Sequence, residues 1–138
     1  MISTYMLDTN MVSYIVRGRP LVASARLLAL KPDEIACVSA ITAAEIRYGL
    51  FRKPEATTLK TLMDGFLASI QTLPWGRDEA DTYGRVRAKL EEGGMSLANT
   101  DMMIAAHAIT TGAILVTNDK AFSQVDELSA SVNWASDL

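Results

Sequence analysis

Short apolar runs alternate along the chain with longer segments in which apolar residues recur at helical spacing. The runs at 2–7, 35–38 and 113–116 are typical of buried strands, with a short strand or turn at 73–76 and an edge strand at 131–134. Between them the spacing, capping residues and Gly or Pro stops predict helices at 11–16, 21–30, 39–51, 54–70, 77–92 and 99–110, with Asn99 or Thr100 as the cap of the last. This alternation predicts an α/β fold, a short parallel central sheet of four to five strands flanked by helices.

The length of 138 residues fits one domain, so we expect a single folding unit over 1–138. The single cysteine, Cys37, cannot form an internal disulfide, and it lies in an apolar run that suits a buried side chain. No basic segment precedes an apolar stretch at the N-terminus, and no apolar run has the length of a membrane span. The expected location is therefore the cytoplasm, without a membrane association.

The charge balance does not favour a nucleic-acid partner. The chain carries 13 basic and 16 acidic residues, a net charge of −3. Contact with RNA must therefore come from a local basic surface, from a metal ion, or from both. Arg17, Arg47 and Arg52, with Arg19 and Lys53 beside them, are the candidates for that surface. The alternative is that these residues are scattered, solvated charges.

Two aspartates directly follow predicted strands. Asp8 comes after the first strand, and Asp119 lies in the turn after the strand at 113–116. Ligands of open α/β sheets bind outside the carboxyl ends of the strands, so both acids stand where a site is expected. Each is also an ordinary turn or N-cap residue when taken singly.

Glu45 occupies an unusual position in its predicted helix. Ile41, Ala44 and Tyr48 form an apolar stripe, and Glu45 falls inside it, away from the polar face. A glutamate on an inward face must be paired, protonated or bound to a cation. The alternative to a cation is a buried salt bridge with an arginine such as Arg47 or Arg85.

Asp101 repeats this pattern at the start of another helix. Ile104, Ala105 and Ala108 follow it at i+3, i+4 and i+7, so Asp101 begins the apolar stripe. An aspartate in the first turn also interacts favourably with the helix dipole, which is the alternative explanation.

Taken together, the four acids point to a metal site. Two of them end strands and two lie on inward helix faces, so Asp8, Glu45, Asp101 and Asp119 are expected to converge on one cleft. Oxygen ligands favour Mg²⁺ or Mn²⁺, and such an ion suits hydrolysis of phosphodiesters. No cysteine and histidine cluster suits zinc, and His107, six residues after Asp101, is expected to be a packed or partly exposed helical residue.

Four segments carry a resemblance to a known family. They are MLDTN at 6–10, SAITAAEIRYG at 39–49, DMMIAAHA at 101–108 and LVTNDKAF at 115–122. In order and spacing they resemble the acidic motifs of PIN-domain proteins, and most of all those of the VapC toxin ribonucleases of bacterial VapBC toxin–antitoxin pairs. The resemblance covers nearly the whole chain.

The resemblance implies an Mg²⁺-dependent endoribonuclease toxin, in which Mn²⁺ can replace Mg²⁺. Asp8, Glu45, Asp101 and Asp119 would be the catalytic and metal-binding residues, with Asp8 and Asp101 as the surest ligands. Thr9, Asn10 and Thr117 match positions that support these ligands by hydrogen bonds. The resemblance also implies a homodimer and a small cognate antitoxin that blocks the cleft.

Three other functions remain open at this point. A phosphatase of the haloacid-dehalogenase type also begins with a strand and an aspartate, but it needs a second aspartate where Asn10 stands. A receiver-like signalling domain needs adjacent acids after the first strand, and only Asp8 is present there. A catalytically idle PIN-like module that binds RNA or protein is the third, and the presence of all four acids argues against it.

Overall fold

A five-stranded parallel sheet forms the centre of the molecule. The structure, a computed structural model, describes residues 1–128 and 130–136. Its strands are β1 (Ser3–Leu7), β2 (Glu34–Ser39), β3 (Gln71–Leu73), β4 (Ile114–Val116) and β5 (Ser131–Val132). Their order is β3-β2-β1-β4-β5, and every neighbouring pair is parallel. The predicted fold class is therefore confirmed.

Helices cover both faces of this sheet. They are α1 (Thr9–Arg17), α2 (Leu21–Leu28), α3 (Ala40–Arg52), α4 (Thr57–Ser69), α5 (Arg77–Glu92) and α6 (Asn99–Thr111), followed by a 3-10 helix at Lys120–Gln124. Within the described ranges, none of the helices combines the length and the apolar character that crossing a bilayer requires.

The core is divided into two layers because successive residues of a strand point to opposite faces. Met6 of β1 packs with residues of α5 and α6, including Val86, Leu90 and Ile104. Leu7, the next residue, packs on the other face with Met11 of α1 and with residues of α3 and α4. Burial on both faces explains why β4, the end of β1 and the middle of β2 are apolar at successive positions rather than alternating.

Two local predictions are wrong, and one element was missed. The third strand lies at Gln71–Leu73 and not at 73–76, because Pro74 has no N–H to donate to β2. The N-cap position of α6 is Ala98, without a side-chain cap, and not Asn99 or Thr100. The 3-10 helix after β4 was not predicted; its first N–H groups are held by Asp119.

Candidate active site

Asp8 links the end of β1 to the start of α1. Its backbone N–H donates to the carbonyl of Val116 at 3.0 Å, which holds it against the end of β4. Its carboxylate accepts the N–H of Met11 at 2.8 Å and so caps α1. The residue is only 4% exposed. Asp8 is thus an N-cap and, at the same time, a buried acid at the carboxyl edge of the sheet.

Asp119 lies on the other side of a crevice between β1 and β4. After β1 the chain continues into the layer that contains Met11, whereas after β4 it continues into the layer that contains Phe122. Such a change of direction between adjacent strands opens a ligand crevice at their carboxyl ends. The backbone N–H of Asp119 donates to the Thr117 hydroxyl at 3.0 Å, and its carboxylate accepts the N–H of Ala121 at 2.9 Å. Its side chain is exposed.

Glu45 is held by the first residue of α1. The hydroxyl of Thr9 donates to the carboxylate of Glu45 at 2.5 Å. This contact joins α1 to α3 beside Asp8, so it brings the second predicted acid to the same edge of the sheet.

The apolar stripe of Ile41, Ala44 and Tyr48, from which an inward-facing Glu45 was predicted, is not the buried face of α3. Tyr48 is 65% exposed and Ala44 is also exposed, while the buried face of α3 contains Thr42 and Ile46. Glu45 lies beside this buried face and is itself partly buried.

Neither arginine that the sequence offered as a partner binds Glu45. Arg47 pairs with Asp64 on α4, and Arg85 pairs with Glu127. Within residues 1–128 and 130–136, no Lys, Arg or His forms a salt bridge with Glu45. The buried salt bridge that was the alternative to a cation is therefore not formed.

Asp101 lies in the first turn of α6, as the sequence predicted. The stripe that follows it, Ile104, Ala105 and Ala108, is completely buried, so the helix turns this face toward the core. The side chain of Asp101 is partly buried at the end of that face.

The acids influence one another electrostatically. Burial raises the pKa of Asp8 to about 6, and repulsion from Asp101 and Asp119 adds to this rise, although hydrogen bonds from Thr117 and Met11 oppose it. Burial also raises the pKa of Asp101, and repulsion from Glu45 and Asp119 adds to it. Each of the four acids therefore takes part in at least one of these repulsions, so they lie in one region of the molecule.

The donor set fits a hard divalent cation, but the site is not a preassembled cage. Within the described part of the chain, no three His, Cys, Asp or Glu side chains stand close enough to hold a metal together. Oxygen-only ligands without basic partners are nevertheless what Mg²⁺ uses, and it keeps several waters that bridge to more distant carboxylates. The buried hydroxyl of Thr42, one turn before Glu45, has no hydrogen-bond partner among the described residues.

A groove leads away from the acids between α1, α3 and α4. It encloses about 350 Å³ and begins at Thr9, Asn10 and Glu45. Its floor is apolar, and its far end carries the side chains of Arg17, Arg52 and Lys53. A second depression continues it past Arg19. Arg47 lies outside this groove, since its guanidinium is engaged with Asp64.

Two buried polar residues near the acids were not recognised as site residues from the sequence. Ser39 is 0% exposed and His107 is 2% exposed, and the Nδ1 atom of His107 lies 2.7 Å from the Ser39 hydroxyl oxygen. Of the two positions expected for His107, packed or partly exposed, the structure has the packed one. Because 68 residues separate the two along the chain, their contact could not be predicted from sequence spacing.

Comparison with known proteins gives consistent matches. The family model described as PIN domain matches residues 5–128. Ribonuclease VapC2 from Rickettsia felis is 32% identical over 94% of this chain and 97% of its own length. The tRNA(fMet)-specific endonuclease VapC from Shigella flexneri is 31% identical over 95% of this chain and 98% of its own. The crystal structure of VapBC2 from Rickettsia felis, bound to a promoter DNA fragment, contains a chain that superimposes with a TM-score of 0.88 at 30% identity, covering 95% of this chain and 98% of that one.

Proposed function

The chain belongs to the VapC ribonucleases of the PIN-domain family, and from this premise we propose that it hydrolyses RNA at the cluster Asp8, Glu45, Asp101 and Asp119. One observation carries the assignment of these residues. The acids repel one another at the β1–β4 crevice, and no basic side chain of the described residues is paired with them. A divalent cation can neutralise several carboxylates at once. PIN-domain nucleases generally depend on such a metal, and we propose Mg²⁺, which Mn²⁺ can replace.

Each side chain has a distinct task in this proposal. Asp8 and Asp101 hold the cation, and Glu45 and Asp119 complete its surroundings directly or through water. When bound, the cation would polarise the phosphate and lower the pKa of an attacking water. Thr9 fixes the orientation of Glu45.

Thr117 and Asn10 support the same edge of the sheet. Thr117 holds the backbone of Asp119 and interacts with Asp8, while Asn10 lines the entrance of the groove. Because the pKa of Asp8 is raised to about 6, a fraction of this residue is protonated near neutral pH. Binding of the cation would displace that proton.

The catalytic assignment is tested by replacing one first-turn aspartate and comparing it with another. Asp101→Asn keeps the shape but removes the charge, so we expect Mn²⁺ affinity and RNA cleavage to fall together. Asp78→Asn is the matched control, because Asp78 lies in the first turn of α5 and is exposed. It should leave both quantities unchanged.

The measurements are titration calorimetry with Mn²⁺ and cleavage of a mixed tRNA substrate with and without EDTA. Cleavage by Asp101→Asn at the parental rate in saturating Mg²⁺ would overturn the assignment. RNA binding without any metal-dependent cleavage by the parent would favour the idle PIN-like module instead.

We further propose that RNA follows the groove between α1, α3 and α4. Arg17 and Arg52 line it together with Lys53, so phosphates next to the cut site would meet positive charge although the protein is acidic overall. The guanidinium of Arg52 lies 5.5 Å from the centre of the exposed Tyr48 ring, which restricts its position. Arg47 is left out of this surface because Asp64 neutralises it.

Charge reversal tests the groove. The double variant with Arg17→Glu and Arg52→Glu should bind RNA more weakly, and its affinity should depend less on salt because fewer counterions are released. Arg77→Glu, at the exposed start of α5, is the control for one reversal of charge outside the groove. Equal losses of affinity per reversed charge at all three positions would mean that only net charge matters.

The proposed partners are inferred from the complexes in which similar proteins have been crystallised. The Rickettsia felis neighbour is a toxin–antitoxin complex, and we propose that this chain is a cytoplasmic homodimer inhibited by a small cognate antitoxin. Large exposed apolar side chains support a protein partner, among them Leu21, Leu28, Tyr48 and Phe51. Light scattering at micromolar concentration should give a dimer, and the product of the adjacent gene should suppress cleavage. A monomer would refute the dimer, and undiminished cleavage would refute the inhibition.

A further inference from the structure

We propose that Ser39 and His107 are positioning residues that fix α3 against α6, so that Glu45 and Asp101 stay close enough to share one cation. The inference rests on the proposed function of the acidic cluster, and it assigns a role to the only histidine of the chain. Neither residue lines the groove that begins at Glu45, and both side chains are buried.

The Ser39 hydroxyl joins the start of α3 to His107. The Ser39 oxygen accepts the backbone N–H of Ile41 at 3.0 Å and thereby caps α3. The same oxygen lies 2.7 Å from the Nδ1 atom of His107, so the two side chains share a hydrogen bond. The imidazole also forms a hydrogen bond with the backbone of Pro74. Burial lowers the pKa of His107, in agreement with a neutral ring.

The spacing along the two helices turns this contact into a clamp. Glu45 lies six residues after Ser39, and Asp101 lies six residues before His107. Six residues of helix advance about 9 Å, so the contact between Ser39 and His107 fixes each helix about 9 Å along its axis from its acid. Repulsion by Glu45 contributes to the raised pKa of Asp101, so the two acids are near enough to influence each other. The helices α3 and α6 are thus joined by one attractive contact, between Ser39 and His107, and opposed by one repulsive interaction, between Glu45 and Asp101.

The hydrogen bond between Ser39 and His107 is needed because the repulsion between Glu45 and Asp101 acts against the packing of α3 on α6. Without a cation, repulsion between Glu45, in the middle of α3, and Asp101, in the first turn of α6, would push the two helices apart. The bond between Ser39 and His107 resists this separation from a buried position, where water does not compete for it. The ring of Trp75 packs edge-on against the imidazole, with the centroids 5.7 Å apart, and limits its rotation.

The test compares the loss of this hydrogen bond with the loss of another one on the same helix. His107→Leu removes the ring nitrogen, whereas His107→Asn keeps a hydrogen-bonding atom near the position of Nδ1. Ser39→Ala is a second way to remove the bond, and Ser39→Thr retains the hydroxyl. The matched control is Thr82→Val, which removes the bond of 2.9 Å from Thr110 of α6 to Thr82 of α5, away from α3.

For each variant we would measure the Mn²⁺ dissociation constant, kcat and KM for RNA, and the melting temperature. His107→Leu and Ser39→Ala should weaken Mn²⁺ binding about tenfold, the usual effect of losing support behind a metal ligand, and should lower kcat with little change in KM. His107→Asn and Ser39→Thr should recover most of this loss. Thr82→Val should lower the melting temperature but leave Mn²⁺ affinity and kcat at the parental values.

Three other results would contradict the proposed role of Ser39 and His107, and each has a different meaning. Parental Mn²⁺ affinity and kcat in Ser39→Ala or His107→Leu, while Asp101→Asn loses both, would refute the clamp and leave the proposed function intact. An equal loss of Mn²⁺ affinity in Thr82→Val would reduce the role to general stability. If the parent protein bound no Mn²⁺ and cut no RNA, the proposed function and the clamp would both be wrong.

Discussion

The polar groups at the carboxyl edge of the sheet and those on the α5–α6 flank are arranged in opposite ways. The α5–α6 flank consists of the helices α5 and α6 and the segment around Glu127 that pairs with α5. On the flank, Arg85 pairs with Glu127, Arg87 with Glu91, and Thr110 with Thr82. At the carboxyl edge, Asp8 and Asp101 are buried or half-buried with their charges repelling, and no basic partner lies among the described residues. The flank is arranged for stability, whereas the edge leaves its negative charge uncompensated, as the proposed cation site requires.

The largest effect should come from Asp8→Asn. Cleavage should fall at least about 100-fold because a charged ligand is lost, while the cap on α1 survives since Asn is also a good N-cap. In EDTA at pH 7 the variant should be more stable than the parent by roughly 2–3 kcal/mol, because burial raises the pKa of Asp8 to about 6 from 3.8. Urea unfolding and cleavage assays measure the two changes.

The control for Asp8→Asn is Asp81→Asn on the exposed face of α5. Asp81 attracts Arg85 only weakly, so its loss should leave cleavage unchanged and should not increase stability. Loss of stability in Asp8→Asn would show that the edge is not electrostatically strained.

The reverse pattern is expected in the core of the flank. Leu90→Ala removes a side chain that is 5% exposed and packed in the α5–α6 layer, so the free energy of unfolding should fall by about 2–4 kcal/mol. Below the melting transition, kcat and Mn²⁺ affinity should stay at the parental values. A large loss of kcat in the folded variant would mean that flank and edge are coupled more closely than the contacts indicate.

A smaller effect should follow from pH. In the absence of metal, folded Asp8 takes up its proton near pH 6 and unfolded Asp8 takes it up near 3.8, so the folded state binds more protons between these values. Lowering the pH from about 7 to about 5 should therefore increase the contribution of Asp8 to stability by about 1 kcal/mol. The comparison is urea unfolding of the parent and Asp8→Asn in EDTA at both pH values. Parallel pH profiles of the two proteins would contradict the raised pKa.

The smallest effect belongs to the surface pairs. The side chains of Arg85 and Glu127 are 52% and 28% exposed, so water screens their attraction. Arg85→Gln should lower the free energy of unfolding by less than about 1 kcal/mol and leave cleavage unchanged. A loss as large as that in Leu90→Ala would place this pair among the main stabilising contacts of the flank.

The regularity of the fold explains why so much of it was predictable. Buried parallel strands are continuously apolar, and the helices between them show clear periodicity, so the strand–helix order is visible in the sequence. The third strand was misplaced because its three residues, Gln71–Leu73, are mostly polar, and only pairing with β2 makes them a strand. Tertiary contact decided this element, not local preference.

The candidate site was predictable in part, and for different reasons. Asp8 and Asp101 could be recognised from the strand end and from a stripe that is buried as expected. Glu45 was chosen because it falls within a predicted apolar stripe that includes Tyr48. Tyr48 is exposed in the structure, although its residue type is common in protein cores. Arg47 was grouped with the RNA-binding arginines because its partner Asp64 lies on a different helix.

The brevity of the two outer strands has a consequence for how copies of this protein associate. β3 has three residues and ends before Pro74, and β5 has only two, so few backbone N–H and C=O groups remain open along either edge of the sheet. Extension of the sheet by a strand from another molecule, the first step toward amyloid-like aggregation, is therefore poorly templated. A cell that stores this chain at high concentration would gain protection from insoluble deposits, and self-association would be directed to the helical surfaces.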